Sequence, residues 1–289
     1  MRDTERVVTN SWKTRQNHDS MSMFMENMFK EQQISKFNNP VFAIITDFGF
    51  DYSVASMKAL ILREFIDAQI VDIDHSIKQF SILSGAFVIN KVYEYFPDQT
   101  IFICVIDPGV GSKREPIIIN TGNYKFIGPN NGLFHYIIKE LGSSCKIYEI
   151  KEEFRPVKST TFHGRDLFTP AAIEIAKGNF DIVKPIERDK LVLIPVLDSG
   201  LPVVTYIDGF GNIKTNISLS NHFNEKDFLK VNINDTTHSI KISKMFSEVA
   251  SGELLCYRGS NDTLEIAANL ASAGDILKVN VGDSITIME

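Results

Sequence analysis

The sequence predicts two domains: an α/β N-terminal domain with a mostly parallel central sheet, and a smaller all-β, barrel-like C-terminal domain. In the first half, apolar runs alternate with segments of helical spacing, an order typical of parallel strands joined by crossover helices. Past about residue 190 the sequence becomes a series of short strand-like runs. We therefore predict a flexible extension over residues 1–38, a first domain over 39–192 and a second domain over 193–289.

The first domain opens with three predicted strands separated by two predicted helices. The strands are short apolar runs over residues 41–45, 69–73 and 101–106. Between them, apolar residues recur every three or four positions over residues 53–66 and 81–95, which indicates helices. Continuous apolar runs such as the third strand suit a sheet that is covered on both faces.

Turn residues and helix signals predict the remaining elements. Residues 116–120 and 124–127 are predicted to form a hairpin around the Thr-Gly-Asn turn between them. A strand is predicted over residues 145–150, with helices over 133–141 and 170–177. The strands predicted for the second domain cover residues 191–196, 202–207, 213–218, 229–233, 238–242, 256–258, 264–267 and 284–288.

Composition restricts the classes of function. The 289-residue chain has a net charge of −6, which argues against a general affinity for nucleic acid or for anionic membranes. Its three cysteines are widely spaced and odd in number, as in proteins of reducing compartments, so we predict a cytoplasmic location. The sequence contains no run of about 18 apolar residues, so no transmembrane helix is predicted. The cysteines and histidines show no spacing typical of a zinc site.

Two predicted strands end in a carboxylate. Asp107 follows the strand over residues 101–106 and is joined to Arg114 by a glycine-containing loop, and Asp47 follows the strand over residues 41–45. Ligands of open α/β sheets bind just beyond the carboxyl ends of the strands, so both acids are candidates for binding or catalysis. A solvated Asp that caps a turn explains either position equally well.

Two further polar stretches are candidates. His163 lies in a predicted loop, where a single His is more often structural than catalytic, but it would complete a polar triad with the acid and arginine that follow the third strand. In the second domain, Asp208, Phe210 and Asn212 offer a carboxylate, an aromatic face and an amide. The carboxylate suits an ammonium group, the aromatic face suits the face of a nucleobase, and the amide suits the edge of a base. A glycine-containing β-turn that uses Asp and Asn for its geometry is the more common explanation.

Taken together, six stretches resemble one family, the S-adenosylmethionine (SAM) hydroxide adenosyltransferases, which are adenosine-forming SAM hydrolases related to fluorinase and chlorinase. The stretches follow the family's order, and the resemblance covers about residues 41–289. Six ordered motifs are far more specific than any one of them. They are TDFGFDYSVASMK (46–58), VIDPGVGSKR (105–114), PNNGLF (129–134), TFHGRDLFTPAA (161–172), DGFGNIKTN (208–216) and GSNDTLEIAANLASAG (259–274).

The resemblance implies an architecture and an activity. It implies an α/β domain followed by a β domain, and a homotrimer with sites between neighbouring subunits. The implied reaction is the splitting of SAM by water into adenosine and L-methionine. SAM is then the substrate, and no metal or redox cofactor is implied.

The resemblance also implies roles for individual residues. The water-positioning residues of the family fall on Asp107, Arg114 and His163, and the ribose-binding acid falls on Asp47. The other implied substrate-binding positions are Ser53, Asp208 and Ser260 at the methionine end, Phe210, Asn212 and the backbone of Leu270 at the adenine, and in addition Phe80 and Glu265.

Position 107 decides between water and halide. Halide-using relatives carry an uncharged residue where this chain has Asp107, and fluorinase has Tyr-Ser where this chain has His163 and Gly164. An ionised carboxylate about 4 Å from a halide costs about 4 kcal/mol at an effective dielectric of about 20. We therefore predict hydrolysis. A halide-using adenosyltransferase and a non-catalytic SAM- or adenosine-binding protein are the alternatives.

The residue types suit the implied chemistry. The sulfonium leaves as a neutral thioether, so no strong general acid is required, and the protein must hold a water in line with C5′ and exclude bulk solvent. We predict that Asp107 and His163 accept the water's protons, while Arg114 keeps Asp107 ionised and aimed. The chain departs from its relatives at Gly259, where they often have Asn, which affects details at the methionine end.

Overall fold

The computed structural model describes residues 39–154, 161–220, 223, 227–259 and 262–288. The extension predicted over residues 1–38 lies outside them. In the described part, the strands form two seven-stranded sheets, one in each half of the chain. The predicted fold class, an α/β domain followed by a barrel-like β domain, is confirmed.

The described strands of the first sheet are β1 Val41–Thr46, β2 Gln69–Asp74, β3 Ile101–Val105, β4 Pro116–Asn120, β5 Lys125–Pro129, β6 Lys146–Ile150 and β7 Val183–Pro185. Their order is β2-β1-β3-β5-β4-β6-β7. The pairs β1–β2, β1–β3 and β3–β5 are parallel, and β4, β6 and β7 extend the sheet by antiparallel pairs. Thr46 is paired with Val105, so β1 and β3 end side by side.

Helices cover both faces of this sheet; those in the described part are α1 Tyr52–Glu64, α2 Ile82–Val92, α3 His135–Leu141 and α4 Thr169–Ala176. Alternate residues of β1 point to opposite faces. Phe42 and Ile44 therefore share a core with α1 and α4, whereas Ala43 and Ile45 share a core with α2 and α3. All residues of β3 are buried, which explains its continuous apolar sequence.

The described strands of the second sheet are β8 Val204–Ile207, β9 Ile213–Ser218, β10 Phe228–Ile233, β11 Thr236–Ile242, β12 Leu254–Arg258, β13 Thr263–Ala268 and β14 Ile285–Met288. Two short helices, α5 Pro195–Asp198 and α6 Ala273–Leu277, accompany them. The order is β14-β10-β11-β12-β13-β9-β8, and a bridge between Val203 and Ser284 brings the two edges together. The sheet is therefore nearly closed, and apolar side chains such as Val231 and Ile266 fill its interior.

The strand predicted over residues 191–196 is wrong. Leu191 and Leu193 instead pack against the core of the first domain. The side chain of Asn130 holds this segment by accepting the N–H of Val192 at 2.9 Å, and helix α5 follows. An apolar run that covers a neighbouring core has the same sequence pattern as a buried strand, so periodicity alone does not separate the two.

Other observations concern the domain boundary and the compartment. The boundary predicted between residues 192 and 193 falls between β7 and β8 and stays a prediction.

All three cysteines are free and buried. Within the described residues, no helix is long and apolar enough to cross a bilayer, and no group of three or more His, Cys, Asp or Glu side chains is arranged to hold a metal ion.

Candidate active site

Asp107 lies two residues beyond β3, at the edge of the sheet where the parallel strands end. The backbone that leaves the strand is fixed by Asn131, whose amide donates to the carbonyl of Ile106 at 2.9 Å. The Asp107 side chain is only 4% exposed. A buried carboxylate requires a cation or several hydrogen-bond donors to remain charged.

Arg114 supplies that cation. The loop over residues 108–113 reverses the chain, with Gly111 at φ 78°, and returns Arg114 to the carboxylate. Arg114 Nε donates to Asp107 Oδ1 at 2.8 Å and Nη2 donates to Oδ2, which makes a bidentate and buried ion pair. The guanidinium carbon also lies 5.2 Å from the centroid of the Phe168 ring.

His163 contacts the same guanidinium. It precedes a single π-helical turn, Gly164–Phe168, that leads into α4. Arg114 Nη2 lies 2.9 Å from His163 Nδ1. A guanidinium N–H only donates, so Nδ1 is the acceptor and the ring proton is on Nε2. The structure thus brings Asp107, Arg114 and His163 into one hydrogen-bonded group.

One nitrogen of this group has no partner among the described residues. Arg114 Nη1 is buried and makes no hydrogen bond to any of them. An unpaired buried donor costs about 1–3 kcal/mol, and a hydrogen bond to a small polar molecule would remove that cost. Because Nε and Nη2 form the edge that faces Asp107, this nitrogen points away from the carboxylate, and it marks a place on the far side of the guanidinium where a small acceptor would bind.

Asp47 follows β1 and lies on the same edge of the sheet as Asp107, because β1 and β3 end side by side. It is 8% exposed, and its Oδ2 accepts the N–H of Phe80 at 2.8 Å. Burial raises the pKa of Asp47; the Phe80 N–H opposes this rise, and the charge of Asp107 adds to it. The fold therefore holds a second carboxylate at this edge at some expense of stability.

Phe80 has a strained backbone. Its φ of 67° lies in the left-handed region, which costs a non-glycine residue about 1–2 kcal/mol. The hydrogen bond to Asp47 holds it there, and the residue is 67% exposed. Strain of this kind occurs most often at functional sites, where the surroundings enforce it.

A second polar network supports the Asp47 loop and was not predicted from the sequence. Thr46 Oγ1 lies 2.9 Å from His75 Nδ1, and His75 Nε2 lies 3.0 Å from Asp72 Oδ1. Lys58 pairs with the other oxygen of Asp72. Since a carboxylate only accepts, His75 Nε2 is the donor to Asp72, and in a neutral ring Nδ1 accepts from the threonine hydroxyl. Thr46 and Lys58 lie in the TDFGFDYSVASMK stretch, but no role was predicted for either of them or for His75.

The predicted residues of the second domain lie on the turn between β8 and β9. Asp208 Oδ1 accepts the N–H groups of Phe210 at 3.0 Å and Asn212 at 2.9 Å, and Oδ2 accepts the Asn212 side-chain amide at 3.0 Å. Gly211 has φ 83°, and a side chain there would collide with Ser272. The β-turn interpretation is therefore correct for the backbone. The turn uses only the backbone of Phe210, which is 83% exposed.

Glu265, on β13, is bound to a residue for which no role was predicted. Lys214 Nζ lies 2.5 Å from Glu265 Oε2 and 3.6 Å from Asp208 Oδ2. The DGFGNIKTN stretch contains Lys214, but a lysine in a strand pattern has the appearance of a solvated residue. Only the pairing of β9 with β13 places it between the two acids.

The remaining predicted residues are more isolated. Ser53 lies in the first turn of α1, where its N–H donates to the N-cap residue Asp51 at 2.7 Å. Leu270 has φ 55° and is 87% exposed. Ser260 lies outside the described residues.

The predicted residues thus form two groups on different domains. Asp107, Arg114, His163 and Asp47 lie at the strand ends of the first domain, whereas the second group surrounds Asp208 on the second domain. No hydrogen bond between two described residues joins the groups. The predicted site residues are thus divided between the two domains of the chain.

The substitution Asp47→Asn is expected to stabilise the fold at neutral pH. The pKa of the folded state is raised above that of the unfolded state, so the ionised carboxylate destabilises the fold above that pKa, and a neutral amide removes this effect. Urea unfolding at pH 7 should show a higher midpoint for the variant. The difference should shrink as the pH falls through the pKa of Asp47 and the wild-type carboxyl takes up its proton.

The substitution Asp51→Asn is the matched control for that experiment. Asp51 is an exposed N-cap, and Asn caps helices about as well as Asp, so the midpoint should hardly change. An Asp47→Asn midpoint at or below that of the wild type at pH 7 would contradict the destabilising effect of the carboxylate.

The first domain is a covered α/β sheet with an Asp–Arg–His group at its strand ends, and a small β-barrel follows it. Proteins of this α/β class bind ligands beyond the carboxyl ends of their strands. Residues 42–184 match the SAM hydroxide adenosyltransferase N-terminal domain, and residues 203–286 match the SAM hydroxide adenosyltransferase C-terminal domain. The chain belongs to the SAM hydroxide adenosyltransferase family.

Individual relatives agree with this assignment. The chain is 36% identical to the (R)-S-adenosyl-L-methionine hydrolase of Methanocaldococcus jannaschii, over 86% of this chain and 95% of the relative. It is 27% identical to the hydrolase of the same name from Thermus thermophilus, over 86% and 99%, and 27% identical to a fluorinase of Nocardia brasiliensis, over 86% and 96%.

Solved structures show the same fold. An uncharacterized conserved protein from Thermotoga maritima superposes with a TM-score of 0.75 at 30% identity, over 86% of this chain and all of that protein. A conserved hypothetical protein from Thermus thermophilus gives a TM-score of 0.69 at 26% identity, over the same shares.

Proposed function

We propose that the protein hydrolyses S-adenosyl-L-methionine to adenosine and L-methionine. The observation that carries this proposal is Asp107, a buried carboxylate at the strand ends that is bound by Arg114. According to the resemblance, halide-using relatives have an uncharged residue at this position. Relatives named (R)-S-adenosyl-L-methionine hydrolase support it. Because they are named for the (R) epimer, we propose that epimer as the substrate.

In the proposed mechanism, a water that donates a hydrogen bond to Asp107 attacks C5′ of SAM in line with the sulfur. The new bond joins the water oxygen to C5′, the C5′–S bond breaks, and its electron pair stays on sulfur, which leaves as the neutral thioether of methionine. Asp107 accepts the proton that the water loses, since each of its oxygens has a second lone pair beyond the hydrogen bond from Arg114. His163 does not accept the water's proton, because its Nε2 carries the ring proton and its Nδ1 accepts from Arg114. Its role is to hold the guanidinium in place through Nδ1.

The other assignments remain proposals that follow the resemblance. Asp47 accepts from the ribose hydroxyls, as acidic residues do in nucleotide-binding folds. The exposed Phe210 ring stacks on adenine, and Asp208 binds the ammonium group of the methionine end. The remaining proposed contacts are Asn212 and the Leu270 backbone at the base edge, Phe80 over the substrate, and Ser53, Ser260 and Glu265 towards the methionine end.

We also propose that the active unit is a homotrimer with sites between neighbouring subunits. The division of the predicted residues between the two domains supports this, because a site between copies would unite them. The exposure of Phe80, Phe210 and Leu270 fits this proposal as well, because the resemblance places all three against the substrate.

The proposed surroundings of the reaction follow from charge and chemistry. The net charge of −6 supports a free small-molecule substrate, without a nucleic-acid or membrane partner. The buried free thiols support a cytoplasmic location. Departure of a neutral thioether requires no cofactor.

The product profile tests the proposal. Purified protein incubated with the (R) sulfonium epimer of SAM should release adenosine and methionine, detected by chromatography, and the other epimer should react more slowly. Added chloride should not change the products. Formation of 5′-chloro-5′-deoxyadenosine at high chloride would favour the halide-using alternative. Tight binding of SAM or adenosine with no product from either epimer would favour the non-catalytic one.

A further inference from the structure

The C-terminal sheet places a row of polar side chains on its outer face. Strand pairing sets Tyr257 opposite Glu265, and Glu265 opposite Lys214, across β12, β13 and β9. Directly opposed residues project from the same face of a sheet. The neighbouring residues Cys256, Leu264 and Ile266 point into the buried interior.

Lys214 lies between two carboxylates at the end of this row. Its Nζ is bound to Glu265 Oε2 at 2.5 Å and lies 3.6 Å from Asp208 Oδ2, and its side chain is 18% exposed. The contact with Glu265 is short enough for a hydrogen bond. The contact with Asp208 is too long for one and is an ionic contact only, so neither group uses a hydrogen-bonding position for the other. An ammonium has three donors, so the bond to Glu265 does not exhaust Lys214.

Asp208 also retains capacity. An ionised carboxylate has about four acceptor sites, and the turn uses three of them, through Phe210 N–H, Asn212 N–H and the Asn212 side-chain amide. Asp208 and Lys214 therefore form an adjacent anion and cation, each with a position left for a ligand group.

We propose that Lys214 binds the α-carboxylate of the substrate while Asp208 binds its α-ammonium, so that the pair recognises a zwitterionic amino-acid end. This inference rests on the proposed function. The N–Cα and Cα–C bonds hold the ammonium nitrogen of an amino acid about 2.5 Å from its carboxyl carbon. The two charged ends of the ligand are therefore close enough to lie alongside Asp208 Oδ2 and Lys214 Nζ, which are 3.6 Å apart, with the ammonium facing the acid and the carboxylate facing the lysine.

The surrounding charges support the same inference. Besides its proposed contact with the substrate, Glu265 holds Lys214 in position, and Tyr257 lies opposite Glu265 in the strand pairing. Lys91 approaches from α2 with its Nζ 5.0 Å from the Phe87 ring centroid. Burial lowers the pKa of Lys91; Glu265 opposes this, and the charge of Lys214 adds to it. The negative charges of Asp208 and Glu265 offset the positive charges of the two lysines. A zwitterionic ligand leaves the net charge of this group at zero, whereas an amine without a carboxylate adds a positive charge.

The test compares SAM with its decarboxylated form, which retains the sulfonium, the adenosine and the amine but lacks the α-carboxylate. The kcat/KM of SAM and the inhibition constant of the decarboxylated compound against SAM turnover are measured for the wild type and for Lys214→Gln. We expect Lys214→Gln to lower kcat/KM for SAM at least tenfold and to change the inhibition constant of the decarboxylated compound less than twofold. Lys214→Arg, which keeps the charge, should keep the preference for SAM.

Two results would overturn the inference: an equal loss for both compounds, which indicates that Lys214 only supports the turn, or an unchanged preference in Lys214→Gln. Lys214→Met serves as a second uncharged variant if Lys214→Gln does not fold. Failure of the proposed function is recognised separately, because the wild type would then release no adenosine from SAM.

Discussion

The substitution Asp107→Asn is expected to lower kcat for adenosine formation by about 10²- to 10⁴-fold, the range for loss of a positioned general base. The amide has nearly the shape of the carboxylate but neither its charge nor its basicity, so the water loses its proton acceptor. SAM should still bind, since the proposed contacts to ribose, adenine and methionine lie on other residues. Single-turnover kinetics measures the chemical step, and calorimetry measures binding.

The matched control is Asp98→Asn, the same substitution in the exposed segment before β3. It should leave kcat unchanged. An Asp107→Asn variant that forms adenosine at the wild-type rate would refute the assignment of Asp107. Loss of SAM binding together with activity would instead place Asp107 among the binding residues.

The substitution Arg114→Leu is expected to abolish measurable turnover and to destabilise the fold by about 3–5 kcal/mol, the range for removing one partner of a buried ion pair. The carboxylate of Asp107 would remain buried without its bidentate partner, and His163 Nδ1 would lose its donor. Urea unfolding monitored by fluorescence or circular dichroism gives the change in the free energy of unfolding.

The double substitution Asp107→Leu with Arg114→Leu separates stability from catalysis. Removing both charges together should recover most of the lost stability, because no uncompensated charge remains, while turnover stays absent. A double variant as unstable as Arg114→Leu alone would show that the destabilisation comes from packing rather than from the unpaired carboxylate.

The sequence predicted the first domain well because its information is local. Continuous apolar runs identify β1 and β3 as strands buried on both faces, and the side-by-side ends of parallel strands then place Asp47 and Asp107 at one edge. The strand predicted over residues 191–196 failed because its apolar side chains cover the first domain's core, a tertiary contact that leaves the same pattern.

Part of the site could not be predicted because it depends on contacts between distant residues. The sequence predicted Arg114 and His163, 49 positions apart, as members of one polar triad, but only the folded loop and the π-helical turn supply the hydrogen bond between them. The tautomer of His163 follows from that contact alone. Lys214 is adjacent to Asp208 and Glu265 only through the pairing of β9 with β13. The family resemblance named residues on both domains but did not supply these contacts.

The most direct test of the account is the origin of the oxygen in the product. SAM incubated with the protein in ¹⁸O-labelled water should give adenosine with the label in its 5′-hydroxyl, as read by mass spectrometry of the product and its fragments. Adenosine incubated with the protein in the same water is the control and should gain no label. Adenosine formed from SAM without ¹⁸O at the 5′ position would contradict direct attack of water on C5′, and with it the role assigned to Asp107.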